Sequence, residues 1–185
     1  MRVRFLVLAL LAVALGACTE AVVQGAVPRC SDSEAVTDEL ILEAQSVPSA
    51  QLLPCLTELP PDWGVTEFQV RDGETSIALT AYSGAGGVVR ATLTETCDTS
   101  NATEEFSGRD NARLFVEIRS SVDDALVGTN YYTFAGGCAT YSFDLRGERK
   151  GALYAEARSA LDFTPRQAVE EGIERETGFK LDAEP

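Results

Sequence analysis

The chain has 185 residues, of which 29 are acidic and 15 basic, and it contains no histidine. Such an excess of negative charge repels phosphate backbones, which argues against binding to nucleic acid. The absence of histidine excludes Ser-His-Asp and Cys-His catalysis, and it excludes zinc sites with histidine ligands.

The N-terminal stretch has the layout of a secretory signal. Arg2 and Arg4 supply positive charge, and residues 5–15 form an uncharged apolar run that is too short to span a membrane. The run ends in Leu-Gly-Ala-Cys at 15–18, which resembles the lipobox of bacterial lipoproteins. This resemblance implies cleavage just before Cys18 and attachment of acyl chains to its thiol.

These features predict a signal peptide over 1–17, a lipidated tether over 18–29 and one domain over 30–185. An ordinary signal peptide cut near Ala17 is the alternative, but Cys18 would then leave an odd cysteine in an exported protein. Cleavage removes two arginines and no acid, so the remaining chain is more acidic still. We therefore expect the lipid on Cys18, rather than a basic patch, to hold the protein on the outer face of the cell membrane.

Four further cysteines, an even number, predict two disulfides in an oxidising compartment. Three pairings are possible, and we favour Cys30–Cys55 and Cys97–Cys138. These pairings join neighbours and separate the helical N-terminal part from the sheet. A reactive thiol is the alternative, but no Cys-x-x-Cys exists, and a cysteine-only metal site lacks close ligand pairs.

The first predicted helix covers 32–45. Ser31 and Glu34 fit a capping box, and Val36, Leu40 and Ala44 follow at helical spacing. Prolines break any long helix between 47 and 63, where Cys55 is expected to act as a staple. The single tryptophan, Trp63, is expected to pack in or beside the core, with a stacking platform for a sugar or peptide as the alternative.

Alternation of apolar and polar residues then predicts strands. Three runs between 68 and 97 form an antiparallel meander, followed by a polar loop over 98–111, a strand over 114–118 and a loop over 122–128. A hairpin follows, with 131–135 and 138–145 joined by a turn at Gly136-Gly137.

Two helices end the chain. Leu153, Ala157 and Leu161 predict a helix over 149–161. A second capping box over 164–167, with proline at its first helical position, predicts another helix that ends at Gly178, with Phe179 folded back on its last turn.

The element order predicts an α+β fold: a mostly antiparallel five- or six-stranded sheet, an N-terminal helix and two C-terminal helices. Three elements of the chain resemble uncharacterised cell-surface lipoproteins of actinobacteria: Leu53–Cys55, Leu59–Trp63 and Gly136–Tyr141. The resemblance implies a cell-surface lipoprotein and carries no activity with it.

The acidic stretch between the third and fourth predicted strands is the candidate ligand or ion loop. Its polar candidates are Asp98, Asn101, Glu104, Glu105 and Asp110. Oxygen ligands of this kind suit Ca²⁺. The EF-hand pattern fails, because Thr103 stands where glycine is needed and Arg109 where glutamate is needed, so loose calcium binding and a solvated loop both remain open.

The sequence therefore predicts a lipid-anchored extracytoplasmic protein that binds an envelope protein, a wall polymer or a small ligand. No catalytic set, metal site or cofactor motif is found, and the glycines near 84–87 lack dinucleotide-binding spacing. One alternative is a hydrolase that cleaves cell-wall glycan with two carboxylates. Another is a purely structural or assembly lipoprotein.

Overall fold

The computed structural model describes residues 21–22, 27–30, 36–83, 86–122 and 124–181. The predicted lipobox and the first predicted capping box lie outside these residues. Three helices are seen within the described part: α1 (Asp38–Ser46), α2 (Lys150–Ala160) and α3 (Arg166–Thr177). The predicted α+β class, with one N-terminal and two C-terminal helices, is confirmed.

Ten strands form two antiparallel sheets in the described residues. In chain order they are β1 (Ala21–Val22), β2 (Leu52–Leu56), β3 (Trp63–Arg71), β4 (Glu74–Ala81), β5 (Gly87–Thr94), β6 (Thr103–Glu105), β7 (Arg113–Val122), β8 (Ala125–Phe134), β9 (Gly137–Arg146) and β10 (Leu161–Pro165). The large sheet has the order β1-β3-β4-β5-β9-β8-β7-β6, and β2 pairs with β10 in the second.

The large sheet exceeds the predicted five or six strands because its edges recruit short segments. The stretch over 98–111, expected to be all loop, contains β6, which pairs with β7. At the other edge, Ala21–Val22 pairs with β3. Ala21 and Val22 belong to the expected tether over 18–29, so part of that tether lies against the domain.

One face of the large sheet carries the core. In β5, Val89, Ala91 and Leu93 are buried while their neighbours are at least partly exposed, as the alternation predicts. Leu153 of α2 and Leu161 of β10 pack against this face, and α1 and α3 enclose a second cluster with β2. The β2–β10 pair thus lies among the helices rather than in the large sheet.

Both predicted disulfides are present. Cys30–Cys55 ties the segment before α1 to β2, beside a parallel bridge between Arg29 and Leu56. Cys97–Cys138 ties the chain after β5 to the start of β9. Each bond therefore joins a poorly paired segment to a strand.

The helix ends differ from several predictions. Helix α1 begins at Asp38, six residues after the predicted start, and Thr37 takes the N-cap position. The second capping box does not form, because Thr164 is the last but one residue of β10, with its hydroxyl 3.3 Å from the Cys55 sulfur. Gly178 does adopt the left-handed cap, with φ of 73°. Phe179, however, is 75% exposed rather than folded back.

Two turns also differ. Phe134 pairs with Gly137, so the hairpin turn is Ala135-Gly136, one residue earlier than the predicted glycine pair. Gly136 has φ of 71°, which glycine adopts without strain. The loop expected over 122–128 is shorter, because β7 continues to Val122 and β8 starts at Ala125. Cross-strand pairing along the whole of β8 and β9 extends the hairpin beyond its apolar centre.

Candidate functional site

A cleft of about 930 Å³ lies between the loop over 107–111, helix α2 and strand β10. Its volume falls within the range of small-molecule sites, roughly 300–1,000 Å³. Leu52, Phe163 and Pro165 form an apolar wall, and charged groups from the loop and the helix face it.

Helix geometry places two functional side chains at the cleft. Leu153 and Ala157 of α2 are buried against the sheet. Tyr154 and Arg158 follow each of them by one residue, so they lie together at the edge of the buried face and line the cleft.

Arg109 fastens the loop to the rest of the cleft. Its guanidinium forms an ion pair with Asp162 and donates to the carbonyl oxygens of Arg158 and Leu161. It also lies over the rings of Tyr132 and Phe163, with centroid distances of 5.1 and 5.2 Å. Since the Arg109 side chain is only 16% exposed, most of its donors are used inside the protein.

Arg158 has a different environment. No carboxylate forms an ion pair with it in the part of the chain that the structure describes, and its guanidinium lies 5.8 Å from the Tyr154 ring centroid. Burial disfavours its charged form, but Tyr132 and Tyr154 outweigh this and raise its pKa. Arg158 is therefore a charged group in the cleft that forms no ion pair with the described carboxylates.

An aromatic cluster supports the floor of the cleft. Phe163 stacks on Tyr141 and meets Tyr132 edge-on, with centroid distances of 6.1 and 5.4 Å. The hydroxyls of Tyr132 and Tyr141 are buried and make no hydrogen bond of good geometry among the described residues. The Tyr132 hydroxyl nevertheless lies close enough to Arg158 to affect its pKa. Burial raises the pKa of Tyr141 far above its usual value, so its hydroxyl stays protonated.

The five predicted ion-loop residues do not all meet at one point, although Glu104, Glu105 and Asp110 line one small cavity. Asp98 accepts a hydrogen bond from the Ser100 backbone, which lowers its pKa. Glu104 forms two hydrogen bonds of 2.9 Å with Arg113, which also lower its pKa.

The other three predicted residues are exposed. Asn101 and Glu105 point to solvent, and Asp110 lies on the rim of the large cleft. Asp110 also lines a smaller cavity of about 510 Å³ with Glu104 and Glu105. Among the described residues, no three acidic or cysteine side chains are arranged as metal ligands.

Trp63 lies outside the cleft and packs in the core. It is 8% exposed, and its indole N–H donates to Glu156 at 2.9 Å. The packing role predicted for Trp63 agrees with this position, and a buried ring does not offer a stacking platform.

Sequence reasoning missed Arg109, Arg158, Tyr154 and Phe163 as cleft residues. The alternation at Leu161, Phe163 and Pro165 is a weak strand signal that could have indicated β10. Nothing in the local sequence marks Arg158, because its importance depends on the absence of a partner in space.

No family model, curated protein or solved structure matches this chain. Within the described residues, none of the helices combines the length and apolar character needed to cross a membrane.

Proposed function

We propose that this protein is a lipid-anchored binding protein on the outer face of the cell membrane, and that it holds its ligand in the cleft between 107–111, α2 and β10. The observation that carries the binding role is the cleft itself. It combines an apolar wall with a guanidinium, Arg158, that no carboxylate of the described chain neutralises. The lipobox at 15–18 supports the location.

Binding is favoured over hydrolysis by the state of the carboxyl groups. Asp110 and Asp162 line the same cleft, which is the observation that favours a carboxylate hydrolase as the second candidate. Asp162, however, already accepts hydrogen bonds from Arg109 and from the Phe163 backbone. Glu43 has the raised pKa expected of a general acid, but it is completely buried and out of reach of a substrate.

The anchor is tested by changing Cys18→Ser. Loss of metabolic labelling with a fatty acid, together with release of the domain from membranes, is expected. Continued labelling of the variant would refute lipidation at this residue.

The cleft is tested with a variant that fills it. Ala155 is an exposed residue of α2 that lines the cleft, so Ala155→Trp places a large ring in the ligand space. Ala152→Trp is the control, because Ala152 is exposed on the same helix outside the cleft. The unlipidated Cys18→Ser protein is titrated with soluble cell-wall fragments.

Binding that is lost in Ala155→Trp and retained in Ala152→Trp supports the proposal. Equal binding by the two variants would place the ligand elsewhere. Saturable cleavage of the wall fragments that disappears in Asp110→Asn would favour the hydrolase instead. Capture of one stoichiometric envelope protein, with no fragment binding, would favour an assembly role.

A further inference from the structure

Arg158 gives the cleft a specific chemical preference. The two arginines that line the cleft differ in their partners: Arg109 pairs with the carboxylate of Asp162, whereas Arg158 has the tyrosines Tyr132 and Tyr154 as partners and no ion pair with a carboxylate among the described residues. In a chain with about twice as many acids as bases, a cation left unmatched beside a cavity is unusual. A ligand that supplies the missing negative charge would complete this site.

The surroundings of Arg158 restrict how it can bind. Ser107 and Ser159 also line the cleft, but their hydroxyls already donate to backbone carbonyls of Arg109 and Glu156. The Tyr154 hydroxyl exchanges hydrogen bonds of 2.8 and 3.1 Å with Asn130. The guanidinium of Arg158 is thus the charged donor that the cleft offers a ligand, and the exposed Asn111 also lines the cleft with a neutral amide.

Charge at the rim distinguishes between kinds of anion. A guanidinium forms paired hydrogen bonds equally well with carboxylate and phosphate. Asp110 also lines the cleft, and its carboxylate repels a dianionic phosphate more strongly than a carboxylate with a single charge. The apolar wall of Leu52, Phe163 and Pro165 in turn favours a ligand with an apolar part.

We propose that the cleft binds a monoanionic organic carboxylate, with the carboxylate on Arg158 and an apolar group against Phe163. The inference rests on the proposed function, because it names the ligand class of the same cleft. It makes Arg158 the specificity-determining residue and gives Arg109 a positioning role.

Two isosteric probes test the charge preference directly. Phenylacetate and phenylacetamide share size and ring and differ in charge, and inorganic phosphate provides a third comparison. Each is titrated into the full-length Cys18→Ser protein and followed by NMR shifts of the cleft residues. We expect saturable binding of phenylacetate at millimolar concentration, about tenfold tighter than that of phenylacetamide, and weakened by salt.

The Arg158→Gln variant tests whether Arg158 sets the preference for a carboxylate, and Arg149→Gln is its control. Arg149 stands at the start of the same helix and pairs with Glu156. Arg158→Gln should bind both aromatic probes equally, while Arg149→Gln should keep the preference for phenylacetate. Unchanged near-UV circular dichroism would establish that both variants fold.

Equal binding of the two aromatic probes to the unsubstituted cleft, or no binding of phenylacetate, would overturn the proposal. Tighter binding of phosphate than of phenylacetate would overturn it in favour of a phosphate ligand. If wall fragments still bind in a manner sensitive to Ala155→Trp while phenylacetate does not, the ligand class is wrong and the cleft remains the binding site.

Discussion

The guanidinium of Arg109 pairs with the carboxylate of Asp162, 53 residues further along the chain. This contact joins the loop over 107–111 to strand β10, and both residues line the cleft. The same guanidinium donates to two backbone carbonyls, so a single side chain connects the loop, the end of α2 and β10.

Arg109→Ala should therefore lower the free energy of unfolding by about 2–4 kcal/mol, the sum of its charged hydrogen bonds and ring contacts. Arg113→Ala is the matched control, because the Arg113 side chain is 65% exposed and pairs with Glu104 at the surface. Urea unfolding should show the loss for Arg109 and essentially no change for Arg113. Similar behaviour of the two variants would contradict the role given to Arg109.

The hairpin turn at Gly136 should be intolerant of any side chain. A Cβ atom there would lie 1.8 Å from the Ser49 carbonyl oxygen, in addition to the strain of its positive φ. Gly136→Ala should cost at least about 3 kcal/mol in unfolding free energy. Gly178→Ala has the same backbone strain with open space around it, so about 1 kcal/mol is expected. Equal decreases in the melting temperature of the two variants would show that the contact with Ser49 is unimportant.

Glu43 should make stability fall as pH rises. Burial raises its pKa well above the usual value, although Thr75 donates to it at 3.3 Å and lowers the pKa in part. Its folded pKa exceeds its unfolded pKa, so the folded state holds more protons between the two values and loses stability as pH rises through that window. The contribution of protonated Glu43 to the free energy of unfolding is fully present below about pH 4.5, near the pKa of the carboxyl group in the unfolded chain.

Glu43→Gln does not titrate, so its stability relative to the unsubstituted protein should improve steadily above about pH 4.5. Urea unfolding at several pH values measures the trend. Thr75→Val removes the hydroxyl that favours ionisation of Glu43. It should raise the folded pKa of Glu43 further, so that stability keeps falling to a higher pH. A constant difference between Glu43→Gln and the unsubstituted protein at all pH values would contradict this account.

Trp63 and Glu156 should be energetically coupled in their effect on the stability of the fold. The indole N–H donates to a glutamate that also accepts from Arg149 at 3.0 Å. Trp63→Phe keeps an aromatic ring in the core and removes that donor, so a cost of about 1–2 kcal/mol is expected. A double-mutant cycle with Glu156→Ala, followed by circular dichroism, should give a coupling energy near 1 kcal/mol. Additive effects would mean that the hydrogen bond adds no stability.

Local patterns predicted much of the fold. Alternation in β5 indicated which side chains are buried, and the spacing of Leu153 and Ala157 located α2 within one residue of each end. These predictions succeeded because a strand or helix that buries one face repeats apolar residues with its own period. The favoured cysteine pairing is also the one observed.

Strand β2 is an element that the local sequence pattern did not predict. All five of its residues are buried, so Leu52–Leu56 carries no alternation, and Pro54 argued against a strand. Its pairing with β10 depends on a segment more than 100 residues away. The local sequence of β2 therefore contained no signal for its place in the second sheet.

Composition and short spacing were enough to predict the acidic character, the presence of two disulfides, the class of fold and a lipid on Cys18, and they favoured one of three possible cysteine pairings. The folded arrangement of the chain established which charged side chains meet. It placed Asp162 on Arg109 and gave Arg158 no carboxylate in an ion pair among the described residues, because ion pairing depends on distance in space rather than along the chain. The candidate site depends on this difference between Arg109, which has a carboxylate partner, and Arg158, which does not among the described residues.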